Sequence, residues 1–424
     1  MKRSLVRLAI MLPVLALVFG LLAVPILGKV DTVKVGVIYP LTGSAAATGK
    51  DYIAAYQLAA DIVNNKMDLD FPFARTEGIP ALGGAMIEIV PADSQGSPEV
   101  GRAEAERLIS SVKPTALMGC HHSAVTKTAS QAAERFGTVF LCPDSTSPAL
   151  TERGYEWFFR SGPTDTTFIE DTFDFIEDLK KARGLKVETV AIVSEDTEFG
   201  KNISVVEEQM AATRGYRVVE KITFQNNSTN VNSEVLRLKR ANPDVILMAA
   251  YTSDTILFVR TFKEQKYTPP AVIGQRAGFI SPEIFTTLGK DADYLFTTNV
   301  WAPDLGEKRP IVKRINELYR AKTGKDLTGD YARAFTGAFI LVDAINRAGS
   351  VNPEAIRKAL LATDYPGSQL IVPWAGVRFD QKTHQNTLGR GIITQAIGGV
   401  YRTVWPFDLA SQEAVWPVPA WDKR

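Results

Sequence analysis

From Val33 onward, short apolar runs rich in β-branched residues alternate with longer segments whose apolar positions recur every three to four residues. Val33–Ile38 (VKVGVI) predicts a strand, followed by a small-residue loop over Thr42–Gly49 and an amphipathic helix over Tyr52–Asn64. Met86–Val90, Ala116–Gly119 and Val139–Cys142 predict further strands, separated by helices over Glu99–Val112 and Ser123–Phe136. The alternation restarts after Arg160. Helices are expected at Thr166–Lys181, Ile203–Thr213, Ser233–Arg240 and Thr255–Glu264, with strands at Thr189–Val193, Arg217–Phe224, Val245–Ala249 and Ala271–Ile273. Three more helices follow at Pro310–Lys322, Tyr331–Arg347 and Pro353–Leu361. The strand-like runs Gly376–Phe379 and Gly391–Ala396 come last, and each must join one of the sheets already begun.

Strands this short and uniformly apolar are buried on both faces, so the pattern predicts α/β architecture in two doubly wound parallel-sheet lobes. Ligands of such sheets bind beyond the carboxyl ends of the strands. Two lobes whose strand ends face each other can enclose one ligand and close on it.

The chain of 424 residues carries 48 Lys+Arg and 47 Asp+Glu, a formal net charge of +1, with no block of like charge. That balance gives no electrostatic footprint for nucleic acid. The N-terminus departs from it: Lys2, Arg3 and Arg7 precede an uncharged apolar run from Leu8 to Leu27. A basic head before such a run is the layout of a cleaved export signal or a retained N-terminal anchor over residues 1–28, and both place the rest outside the cytoplasm. The three Pro after Trp405 predict an irregular tail over 405–424.

Catalytic motifs are missing. Gly43, Gly49 and Lys50 lie near a phosphate-loop spacing, but five residues separate the glycines and Asp51 stands where a Ser or Thr would hold magnesium. The small residues there, Ser44 among them, instead let the next helix begin close to a ligand. Only three His are present, and His384 in DQKTHQN is expected to be a solvated loop residue. Cys120-His121-His122, with Cys142 and Asp144 nearby, leaves three readings open: buried thiols, one disulfide, or a metal site. In each, His122 stands at a strand mouth where it can touch a ligand. No catalytic residue, metal or cofactor is expected.

Several segments resemble the branched-chain amino-acid class of ABC-transporter substrate-binding proteins. They are VKVGVIYPLTGSAAATGKDYIAAYQLAADIVNN, ADSQGSPEVGRAEAERLI, MGCHHSAVTKTAS, PDSTSPALTERGYEWFFRSGPTD, SEDTEFGKN, GDYARAFTGAFILVDAINRAGS and VRFDQKTHQN, in that order over roughly Val33 to Val404. The resemblance implies a type I periplasmic-binding-protein fold with three crossovers, lobe one over 33–160 plus 302–389 and lobe two over 161–301 plus 390–404. It also implies a monomeric, extracytoplasmic receptor, partnered by a small-molecule ligand and a membrane permease. A membrane-anchored sensor of the same fold is the alternative.

Carried over from the family, a ligand carboxylate is held at Ser123, Asp144 and Thr146, and Phe199 and Tyr251 supply aromatic walls. The acidic residue that pairs with a ligand ammonium falls on Gln275 or Arg276, best on Arg276. A guanidinium there repels an ammonium and suits a second carboxylate. The expectation is therefore a dicarboxylate, an acidic amino acid or an aromatic acid, with Asp144 taking the ammonium or neutralising Arg276.

Overall fold

The computed structural model describes residues 30–424; the expected export segment, 1–28, lies outside them. β1 (Thr32–Tyr39), α1 (Ala46–Asn64), β2 (Met86–Asp93), α2 (Pro98–Arg107), β3 (Ala116–Gly119), α3 (Ser123–Arg135), β4 (Phe140–Cys142) and β5 (Phe158–Arg160) build a five-stranded parallel sheet ordered β2-β1-β3-β4-β5. The chain then crosses over. α4 (Asp165–Arg183), β6 (Thr189–Glu195), α5 (Glu198–Thr213), β7 (Arg217–Phe224), α6 (Asn232–Ala241), β8 (Val245–Ala249), α7 (Thr252–Glu264), β9 (Val272–Gly274), α8 (Glu283–Leu288) and β10 (Phe296–Asn299) begin the second sheet. After β10 the chain returns to the first lobe, where α9 (Pro310–Thr323) and α10 (Gly329–Ala348) pack on α1, followed by α11 (Pro353–Leu361). β11 (Asp364–Pro366) and β12 (Gly376–Arg378) come next, and β13 (Ile392–Ile397) and β14 (Val400–Trp405) complete the second sheet in the order β14-β13-β10-β9-β8-β6-β7.

Of the two late strands expected to join a main sheet, only one does so. β12 joins neither; it pairs antiparallel with β11 as a small ribbon. β13 does join the second sheet, but antiparallel to β10, and the turn at Gly398-Gly399 returns the chain as β14. Both glycines have positive φ, 62° and 78°, which lets two strands meet across so short a connection. The second sheet is thus a parallel core with an antiparallel edge.

The tail is irregular, as its prolines predict, and it is packed. Its Trp416 ring lies 5.6 Å from Phe296 and 6.2 Å from Phe175, Val415 N–H donates to Gln395, and Trp421 Nε1 donates to the Tyr267 carbonyl at 2.8 Å. Apolar burial and satisfied donors fix this irregular segment against lobe two. His384 is buried, not solvated. Its ring stacks on Phe159 at 4.4 Å and Nδ1 sits 3.1 Å from the Phe158 carbonyl, because the β12–β13 connection folds back over β5.

In each sheet the winding reverses beside the first-formed strand, at β1/β3 and at β6/β8. The crevice between the lobes is built from the loops that leave those four strands.

Candidate functional site

A cleft of about 410 Å³ lies between the lobes. One wall holds Thr42, Ser44 and Thr48 after β1, with His121 and His122 after β3; the other holds Asp196–Lys201 after β6 and Tyr251–Ser253 after β8. Its floor narrows to a void of about 20 Å³ bounded by Ser123, Asp144, Thr146, Phe199, Arg276, Asp330 and Arg333. All eight residues singled out from the sequence therefore line this one region: Ser44 at the exposed mouth, His122 and Tyr251 midway, the others at or beside the floor.

The first lobe presents a helix start. β3 ends at Gly119, whose φ of 139° suits glycine, and a Cβ there would sit 2.4 Å from the Ile38 carbonyl oxygen. The chain turns through Cys120 and His121 (φ 70°) so that His122 caps α3 and Ser123 opens it. Ser123 is buried, and its hydroxyl has no hydrogen-bond partner among the described residues. With the backbone N–H groups of the first turn and the helix dipole, it forms an anion-binding end. Cys120 and Cys142 are buried free thiols, and no group of metal-ligating residues occurs among the described residues.

Rings line the middle of the cleft. Tyr251 lies 4.9 Å from His122, 5.7 Å from His121 and 5.4 Å from Phe199. Burial pushes the His121 imidazole down to about 3, helped by Arg333, and drives His122 well below its ordinary value. Both rings are neutral at physiological pH. They serve as polar aromatic walls and not as cations.

The floor is charged. Arg276 donates to Asp165 at 2.7 Å and to the Thr146 hydroxyl at 2.8 Å, and its guanidinium lies 3.9 Å from the Phe168 ring. Burial lowers it to about 10 against the opposing pull of Asp165. Arg276 and Asp165 are 3% and 0% exposed at their side chains, so each is the other's principal counter-charge. Sequence reasoning missed Asp165; its position as the first residue of α4, after the capping Thr164, marks it only as a helix-start acid. The expected neutralisation of Arg276 by Asp144 does not occur, because Asp165 is nearer on the crossover and occupies the guanidinium.

Arg333 and Asp330, one turn apart on α10, form a second buried pair, and Arg333 Nη1 also donates to the Asp144 carbonyl at 2.8 Å. Neither residue was singled out from the sequence, where the segment reads as an ordinary amphipathic helix. Among the described residues Asp144 makes no ion pair. Its carboxylate accepts the His121 N–H at 3.1 Å and the Ser145 N–H at 3.0 Å, and burial raises its pKa even though Arg333 pulls the other way. Beneath the floor Glu207, hydrogen-bonded to Gln275 at 3.0 Å, is pushed up to about 8 by burial and is protonated at neutral pH. The floor thus holds two buried ion pairs, Arg276 with Asp165 and Arg333 with Asp330, beside the Asp144 carboxyl.

The lobes also touch across the cleft through Lys127 and Glu198 at 3.3 Å and through Asn202 and the Ser147 hydroxyl at 2.7 Å. Two α/β lobes meeting around a polar, ring-lined floor define a bilobal solute-binding protein. Residues 32–397 match the family described as periplasmic binding protein, and the chain belongs to it. Over 392 residues it is 29% identical to the Leu/Ile/Val-binding protein homolog 8 of Brucella abortus (strain 2308), covering 89% of this chain and 91% of the relative. Its fold is the type I periplasmic-binding-protein fold. It superposes with a TM-score of 0.73 (19% identity, 91% of this chain, 100% of the other) on a branched-chain amino acid transporter substrate-binding protein from Streptococcus pneumoniae in complex with isoleucine. A solute-binding protein of an ABC transporter from Rhodopseudomonas palustris, in complex with 3,4-dihydroxybenzoic acid, superposes at 0.72 (19% identity, 93% and 100%).

Proposed function

We propose that this protein is an extracytoplasmic receptor that delivers a small carboxylate-bearing solute to the membrane permease of an ABC importer. We further propose that its ligand is an α-amino acid held between the closing lobes. The observation that carries the reading is the unpaired, buried Asp144 beside the free hydroxyl and helix start of Ser123. A zwitterion answers both: its carboxylate goes to Ser123 and its ammonium to Asp144. Arg276 does not repel that ammonium, since Asp165 already balances it. The same pairing argues against a second ligand carboxylate at Arg276.

Tyr251, Phe199 and the neutral His121 and His122 rings form the wall along which the ligand's side chain lies. That wall also supports a second reading, an aromatic acid without an ammonium, as bound by the Rhodopseudomonas palustris relative. Calorimetric titration with the standard amino acids and with 3,4-dihydroxybenzoate separates the two. Binding of a neutral amino acid that is lost in Asp144→Asn supports the first. Binding of the benzoate alone, unchanged by Asp144→Asn, overturns it in favour of the second.

A further inference from the structure

The floor accounts for the charged head of an amino acid; the rest of the cleft selects its side chain. His121 and Tyr251 line both the floor and the main cleft, so a side chain leaving Ser123 and Asp144 passes these rings and enters the volume of about 410 Å³ beyond them. A pocket on the small-molecule scale, about 300–1,000 Å³, has room for a side chain several atoms long.

Beyond the rings the walls are polar. Among the described residues, no leucine, isoleucine, valine or methionine lines the cleft or its floor. A branched aliphatic side chain would strip water from hydroxyls, amides and ring nitrogens there without replacing the hydrogen bonds.

Two of these polar groups are free on the first-lobe wall, and neither bounds the floor. Thr48, in the first turn of α1, is only 8% exposed, and its hydroxyl bonds no described residue. His122 is neutral, so one ring nitrogen donates and the other accepts. Its Nδ1 is sealed within the protein, which leaves Nε2, bonded to no described residue, as the edge open to the cleft.

The charges on the opposite wall balance. Glu198 is paired with Lys127 at 3.3 Å, and the remaining Asp196 and Lys201 are one of each sign, so the wall does not select a charged tip. A hydroxyl beside a neutral imidazole is matched by an uncharged group that both donates and accepts. Primary amides and ureido groups are of this kind, and a short methylene stem carries them past the rings.

On the α-amino-acid reading above, we infer that the ligand's side chain ends in an uncharged amide or ureido group, and that Thr48 and His122 are the residues that select it.

Calorimetric titration of the full chain with L-glutamine, L-citrulline, L-homoleucine and the remaining standard amino acids tests this. Homoleucine has the shape of glutamine with two methyl groups in place of the amide. The better of glutamine and citrulline is expected to bind at least tenfold tighter than homoleucine, because a site built to hydrogen-bond its ligand rejects the analogue that cannot. Thr48→Val, which keeps the side chain's shape, should reduce that ratio at least threefold and leave homoleucine within twofold of its affinity for the parent. A margin below tenfold, a ratio that Thr48→Val does not move, or tighter binding of another standard amino acid overturns the inference alone, provided that the binding is lost in Asp144→Asn. Binding of no amino acid overturns the α-amino-acid reading together with it.

Discussion

Replacing Arg276 by Met removes a guanidinium but keeps much of its length and apolar stem. At 2.7 Å from Asp165, the lost attraction is about 6 kcal/mol at an effective dielectric of about 20. Relief of the desolvation of Arg276 returns part of that, while its contact with Phe168, 3.9 Å away, forfeits about 2 kcal/mol more. The side chain of Asp165 is 0% exposed and its Oδ2 is already unpartnered, so the remaining carboxylate has no solvent to turn to. The net expectation is a loss of about 3–5 kcal/mol, the range for breaking one side of a buried pair. In urea, with a slope of about 2–3 kcal/mol/M, that lowers the unfolding midpoint by about 1.5 M.

Asp165→Asn alone should cost a similar amount, and the double variant should recover at least about 2 kcal/mol of the summed losses. The pH dependence has a definite sign. Without Arg276 the folded-state pKa of Asp165, already raised by burial, rises further. The folded state then holds a proton that the unfolded state has released, and stability falls as pH rises through that window. The Arg276→Met penalty should therefore be smaller at pH 5 than at pH 8. Additive single losses, or a penalty that does not change with pH, would mean that Arg276 is available to a ligand and that the pairing argument fails.

Three further outcomes follow from the same geometry. Glu207 has its pKa raised from the ordinary 4.5 to about 8, so stability should decline between about pH 4.5 and 8 and level off above it; Glu207→Gln should flatten that decline in urea titrations at several pH values. Ser123→Ala should weaken amino-acid binding about tenfold, the loss of one hydrogen bond to a charged group, and leave the urea midpoint within about 0.3 M of the parent. Gly119→Ala should destabilise by about 2 kcal/mol or more, because both the φ of 139° and the Ile38 carbonyl oppose a Cβ; an unchanged midpoint would contradict the turn that sets His122 and Ser123 in place.

Much of this architecture was legible in the chain because buried parallel strands read as apolar runs. β1, β3, β6 and β8, whose loops make the cleft, are such runs. β10 (FTTN) was hidden because its threonines pack by hydrogen bonds within the sheet, and β5 is too short to show a period. The floor was half legible. A helix-start Ser and a ring at the end of a strand can be placed by local order in the chain. Asp165, Asp330 and Arg333 reach the floor only through the crossover and the return of α10, so their charges could not be assigned partners in advance. Arg276 therefore read as a cation open to a ligand carboxylate or to Asp144, when its partner is Asp165.

The most direct test is a pair of titrations on the parent chain, comparing the amino acid that binds best with the same molecule lacking its amine, leucine with 4-methylpentanoate for example. A buried, unpaired Asp144 predicts at least a hundredfold loss for the des-amino acid, and near-equality of the two in Asp144→Asn. Equal affinity of the two ligands for the parent chain would contradict the account, because it would show that the floor does not require the ligand's positive charge.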